Sequence, residues 1–132
     1  MKVKNFALIT VGCIICCAFY KPIKPVTDYR DVYVGGYACK KYIEKLNSST
    51  MTYSLDTGRI TIYVSKDVTD SILLVSANGV LLKVKLSSGG NLLSQPVTRS
   101  YGGRFYGTGN IDIFYTPNKT LSSRYIGTKI EI

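Results

Sequence analysis

SILLVSANGVLLKVKL, residues 71–86, decides the fold. Two apolar runs, residues 71–76 and 80–86, flank Ala77-Asn78-Gly79, and Asn-Gly supplies the positive backbone angles that a tight type I′ turn demands. In the second run Leu82, Val84 and Leu86 alternate with Lys83 and Lys85, the period of a strand with one face inward and one in water. The stretch predicts a β-hairpin. Upstream, residues 51–55 and 59–65 flank Asp56-Thr57-Gly58, and Ile60, Ile62 and Val64 alternate with Thr61 and Tyr63. This predicts a second hairpin turning at 56–58.

Strand signals continue outward in both directions. Residues 31–38 place Val32, Tyr33, Val34 and Tyr37 around Gly35-Gly36, the composition of a strand with a bulge or sharp bend. Residues 40–46, KKYIEKL, are the sole short-helix candidate, although seven residues without tertiary support are too few to hold a helix in water. Downstream, Ser88-Gly89-Gly90-Asn91 reads as a turn, and Pro96 demotes LLSQPVTR, residues 92–99, to an edge or irregular strand. Alternation resumes over 110–115, Pro117-Asn118 turns the chain, and 125–132 close it with Ile126, Ile130 and Ile132 on one face. Seven to nine short strands predict an all-β domain, a small antiparallel β-sandwich of immunoglobulin-like kind or a small barrel.

The N-terminus sets the compartment. MKVKNFALITVGCIICCAFY has two lysines followed by an apolar run from Phe6 to Tyr20, the layout of an export signal and too short to span a bilayer comfortably. Three outcomes are open: cleavage after Ala18, where Cys16 and Ala18 supply the small residues a peptidase inspects; lipidation at Cys13, since Thr10-Val11-Gly12-Cys13 resembles a lipobox; or an uncleaved anchor. Residues 1–18 are thus assigned as signal, 19–30 as an extended tether carrying Pro22 and Pro25, and 31–132 as one β domain. Cys13, Cys16 and Cys17 act as small apolar residues within the signal, not as a metal site. Cys39 is left alone in the mature domain, and burial is favoured over an intermolecular bridge.

Composition narrows the chemistry. The chain carries 17 basic and 8 acidic side chains, net charge +9. Loss of residues 1–18 removes Lys2 and Lys4 and leaves +7, which draws the domain toward an acidic protein face or another anionic surface ligand. Nucleic acid is not expected, because an exported chain seldom meets it and the basic residues are scattered. The chain has no histidine, which removes the commonest general base and most zinc sites. The close acidic pairs, Asp28 with Asp31 and Asp67 with Asp70, read as solvated loop charges beside basic neighbours. Glycines 102, 103, 107 and 109 precede a strand rather than a helix, so they form no phosphate cradle. No enzymatic activity, cofactor or metal is expected. Tyr101, Arg104, Phe105 and Tyr106, on the glycine-rich stretch 100–110, are the best binding candidates, since Arg and aromatic side chains supply anchoring contacts.

NIDIFYTPNKTLSSRYIGTKIEI, residues 110–132, resembles the ending of chaperone–usher fimbrial subunits, with Ser122 to Gly127 as the corner before a final alternating strand. That resemblance implies an immunoglobulin-like sandwich completed by a donated strand. Tyr37-Ala38-Cys39, Tyr101-Gly102-Gly103-Arg104-Phe105 and Ile111-Asp112-Ile113-Phe114 are similar to the layout of membrane-bound c-type lysozyme inhibitors, which implies a small exported barrel. The expectation is an exported envelope protein, in the periplasm, outer membrane or cell surface, that acts by protein–protein binding as a fimbrial or pilus-associated subunit or assembly factor. The alternatives are an inhibitory envelope lipoprotein and a basic secreted adhesin or toxin-like module. Membrane contact is expected only through the N-terminal segment. Asn47-Ser48-Ser49 and Asn118-Lys119-Thr120 would be glycosylation acceptors in a eukaryotic secretory route.

Overall fold

The hairpin at 71–86 forms as its sequence predicts. In a computed structural model describing residues 28–98 and 100–131, β3 (Ile72–Ala77) and β4 (Val80–Leu86) pair with Ala77 opposite Val80. Asn78 and Gly79 take φ of 50° and 77° between them, the left-handed angles that glycine adopts without strain. Leu73, Val75, Ala77, Leu82, Val84 and Leu86 point inward and are buried.

Six further strands complete a ring. They are β1 (Gly35–Asn47), β2 (Thr52–Lys66), β5 (Asn91–Ser94), β6 (Tyr101–Tyr106), β7 (Asn110–Asn118) and β8 (Leu121–Lys129). Each strand pairs antiparallel with the next, and β8 pairs with β1, so the sheet closes into an eight-stranded barrel. Of the two all-β architectures expected, the chain forms the barrel. Closure removes the edges that an open sheet would expose along most of its perimeter. Inward side chains fill the interior: Tyr37, Ile62, Leu73, Val75, Val84, Leu92, Phe105, Ile111 and Ile113 are all under 3% exposed.

Several local expectations are corrected. KKYIEKL is not helical but lies within β1, flanked on both sides by β2 and β8. Those neighbours satisfy its main-chain groups, which seven isolated residues could not do for themselves. Asp56-Thr57-Gly58 is not a turn: β1 and β2 pair without interruption from Gly35 opposite Val64 to Asn47 opposite Thr52. The chain reverses instead at 48–51, where Asn47 Oδ1 accepts the Ser49 and Thr50 N–H groups at 3.0 and 3.3 Å and Met51 has φ 56°. Residues 31–34 are not strand either. Tyr29–Val32 is a 3-10 turn, and β1 starts only at Gly35. At the other end, the β7–β8 reversal lies at 119–120, so the last strand starts at Leu121 rather than 125 and ends at Lys129. Ile126 and Ile130 are each about two-fifths exposed; Ile132, residues 1–27 with Cys13 and the predicted signal, and Arg99 lie outside the described residues.

The two poles of the barrel differ. At one, the 3-10 turn is locked in place by Arg30, which is buried. Its guanidinium donates to the carbonyls of Asp67, Thr69 and Ile72 at 3.1, 2.8 and 2.9 Å and to both oxygens of Asp28. Hydrogen bonds from Arg30 hold the Asp28 carboxyl well below the usual carboxylate range. Lys66 pairs with Asp28 and Asp31, and Asp67 with Lys83, so three of the four acids in the close pairs are anchored in ion pairs. Tyr33 stacks on Phe105 with ring centres 4.5 Å apart and closes that pole.

At the opposite pole β1 and β2 run past the core. Along β1 the inward positions pass from buried Tyr37 and Cys39 through half-buried Lys41 and Ile43 to exposed Lys45. In β2 they pass from buried Val64 and Ile62 to exposed Asp56 and Ser54. Lys41 and Asp56 form an ion pair of 3.4 Å there.

Candidate functional site

The outer wall of β6, β7, β8, β1 and β2 gathers the exposed cationic and aromatic side chains into rows. Across the strands, Arg104 stands opposite Asp112, Asp112 opposite Ile126, Ile126 opposite Lys40, and Lys40 opposite Arg59. The row toward the flared pole reads Gly102, Phe114, Arg124, Tyr42, Thr57, and the row on the other side Tyr106, Asn110, Thr128, Ala38, Thr61. Period-2 alternation places all of these on one face because every second residue of a strand points outward.

The wall holds an open depression of about 1130 Å³, bordered by Lys40, Arg59, Tyr106, Asn110, Ile126 and Thr128. Gly127 faces Cys39 across the β8–β1 pair, and a Cβ at Gly127 would run into the Cys39 thiol and the Ala38 carbonyl. Cys39 itself points into the core, and burial pushes its thiol up to about 11. It stays protonated and unreactive near neutral pH, which fits the burial expected of it.

Charge on the wall is unbalanced. Arg124 grips Asp112 with both ends of its fork, at 3.0 and 2.6 Å. That neutralises the one carboxylate of the central row. Among the described residues Lys40, Arg59 and Arg104 have no acidic partner within ion-pair distance. Lys40 Nζ lies 5.2 Å from the Tyr42 ring centre and Arg104 Cζ lies 5.5 Å from that of Tyr106. These cation–ring contacts hold two of the cations against the wall.

The four residues picked out on stretch 100–110 separate. Residues 101–106 form strand β6, not a loop. Arg104 and Tyr106 face outward on the wall. Phe105 is a core residue, 2% exposed. Tyr101 is half-buried, with its hydroxyl donating to the Gln95 carbonyl at 2.9 Å and accepting from the Gln95 N–H at 3.2 Å. Lys40, Arg59, Ile126 and Thr128 complete the site and were missed. The signal for Lys40 and Arg59 was present in the outward alternation of KKYIEKL and TGRITIY, but a helix and a turn placed on those segments hid the register that makes Lys40 and Arg59 neighbours.

Among the described residues no cluster of three or more His, Cys, Asp or Glu side chains is arranged to hold a metal, and no helix is long and apolar enough to cross a membrane. The chain matches no family model, and no curated protein or solved structure is significantly similar to it.

Proposed function

We propose that the protein is an exported, non-catalytic module that binds an acidic protein face at its outer wall. The observation that supports this most is the central row, where Arg104, Lys40 and Arg59 present three uncompensated cations beside Tyr42, Tyr106 and Ile126. Arg and Tyr together are the anchoring residues of protein interfaces, and a cationic patch on a basic domain speeds encounter with acidic partners. Among the envelope roles expected from the sequence, a small barrel that blocks or tethers another protein fits this geometry best. A subunit completed by a donated strand needs an open groove, whereas β8 is paired on both sides, by β7 and by β1.

Poly-L-glutamate serves as the acidic test surface. The full-length chain should bind it with an affinity that falls steeply with salt. Arg104→Ala, Lys40→Ala and Arg59→Ala combined should weaken binding at least ~10-fold with an unchanged melting curve. Equal affinity of the triple variant sinks the proposal, and tight, wall-dependent binding to dextran sulfate without binding to poly-L-glutamate transfers the site to an anionic polysaccharide.

A further inference from the structure

We infer that the free edge of β2 pairs with the same edge of a second copy of this chain, antiparallel and centred on Thr57. β2 pairs with β1 along its length but with β3 only through Tyr63–Lys66, because β3 ends at Ala77 in a tight turn. From Thr52 to Thr61 its other side therefore carries alternate main-chain N–H and C=O groups with no strand beside them among the described residues.

Unpaired edges are ordinarily guarded by charged side chains, lysine above all, by proline, a bulge or a covering loop; the charges here are Arg59 and Asp56, the latter held in its ion pair with Lys41. TYSLDTGRIT, residues 52–61, contains neither lysine nor proline, and its pairing with β1 shows no bulge. Tyr53 and Leu55 on its outer side are 74% and 61% exposed. The segment also holds one acid, Asp56, and one base, Arg59, and so has no net formal charge in a chain of net charge +9. A copy approaching elsewhere meets a surface of its own sign; along this edge it does not.

Symmetry fixes the register. Identical antiparallel strands in one sheet are related by a two-fold axis normal to the sheet, and opposed residues must share a face. With Thr57 opposite Thr57 of the second copy, Asp56 meets Gly58, Leu55 meets Arg59, Ser54 meets Ile60 and Tyr53 meets Thr61. Like charges nowhere face each other. A slip of one step toward the tip sets Asp56 against Asp56. A slip the other way runs into Tyr63, already paired with Ser76. The central register is the longest that avoids both, and it joins the two outer walls across the axis.

Cysteine pairing in the full-length chain tests it, with Cys13→Ser, Cys16→Ser and Cys17→Ser to remove competing thiols and mild detergent to shield the apolar N-terminal run. Added Thr57→Cys brings two thiols to neighbouring-strand separation, ~5 Å between Cα atoms, inside the disulfide range. It should give a covalent dimer on mild oxidation. Thr61→Cys, whose copies lie ~27 Å apart at 3.4 Å per residue, should stay monomeric. Leu55→Lys, which sets a lysine beside Arg59 of each copy, should abolish the Thr57→Cys cross-link and shift sedimentation from dimer to monomer with an unchanged circular dichroism spectrum. Equal cross-linking at both positions, cross-linking that survives Leu55→Lys, or a chain that sediments as a monomer up to millimolar concentration overturns the inference.

Discussion

The hairpins β3–β4 and β1–β2 share one architecture and differ in what holds them. β3 and β4 have short strands, an Asn-Gly turn and inward residues that are buried along both strands except for half-buried Val80 beside the turn. β1 and β2 are twice as long, turn without glycine at 48–51, and keep buried inward residues only as far as Cys39 and Ile62. Local sequence suffices for the first because alternation, turn chemistry and burial agree along nearly all of it. Strand pairing continues in the second after burial has stopped, so a reading based on hydrophobic period breaks it into shorter pieces.

That difference is open to attack, most strongly through side-chain truncation. Leu73→Ala removes a fully buried side chain from β3 and should cost ~2–5 kcal/mol in urea unfolding. Leu55→Ala on the exposed flank of β2 should stay within ~0.5 kcal/mol. Equal costs would mean that the flared hairpin is packed after all.

Cys39 marks where β1 leaves the core, and its titration sharpens the border. Its thiol is raised from 9.0 to about 11 by burial, so the folded state keeps a proton that the unfolded chain releases. The associated stability is complete below pH 9 and lost as pH rises through 11, a fall of about 2–3 kcal/mol. Unfolding measured across that window should show the fall in the native chain and a flatter profile in Cys39→Ala.

The glycines give the smallest contrast. Gly79→Ala forces a side chain onto φ 77° and should destabilise by ~1 kcal/mol. Gly58→Ala has no such strain. Its Cβ would meet Lys41 Cε at 2.8 Å, the far end of a flexible chain that can swing aside, and the cost should be within ~0.5 kcal/mol. A Gly58→Ala penalty matching that of Gly79→Ala would restore a turn at 56–58.

Much of the barrel was therefore legible: the Asn78-Gly79 hairpin, the turn at 88–91, the burial of Cys39 and the all-β class; LLSQPVTR, expected as an edge or irregular strand, instead gives the short β5, paired on both sides by β4 and β6 and ended at Ser94. The candidate site was half legible. Arg104 and Tyr106 stood out because glycine surrounds them, but their neighbours on the wall come from strands tens of residues away, and only register brings Lys40 to Arg59 and Ile126. Phe105 shows the complementary failure. Its composition suits a binding surface, yet strand alternation turns it inward between two exposed neighbours.

Eight strands is an even number, and the consequence is directional. A meander of even count returns to the pole where it began, so residue 28 and residue 131 both lie beside the Arg30 lock, with the Ile130 N–H bonded to the Gly36 carbonyl and Lys129 Nζ to that of Val32. Whatever covalently precedes Asp28 therefore pulls on the braced pole, and the β1–β2 tip is held out at the far end. The molecule has a handle and a head, and mechanical load on the handle reaches the head only through strands already closed in a ring.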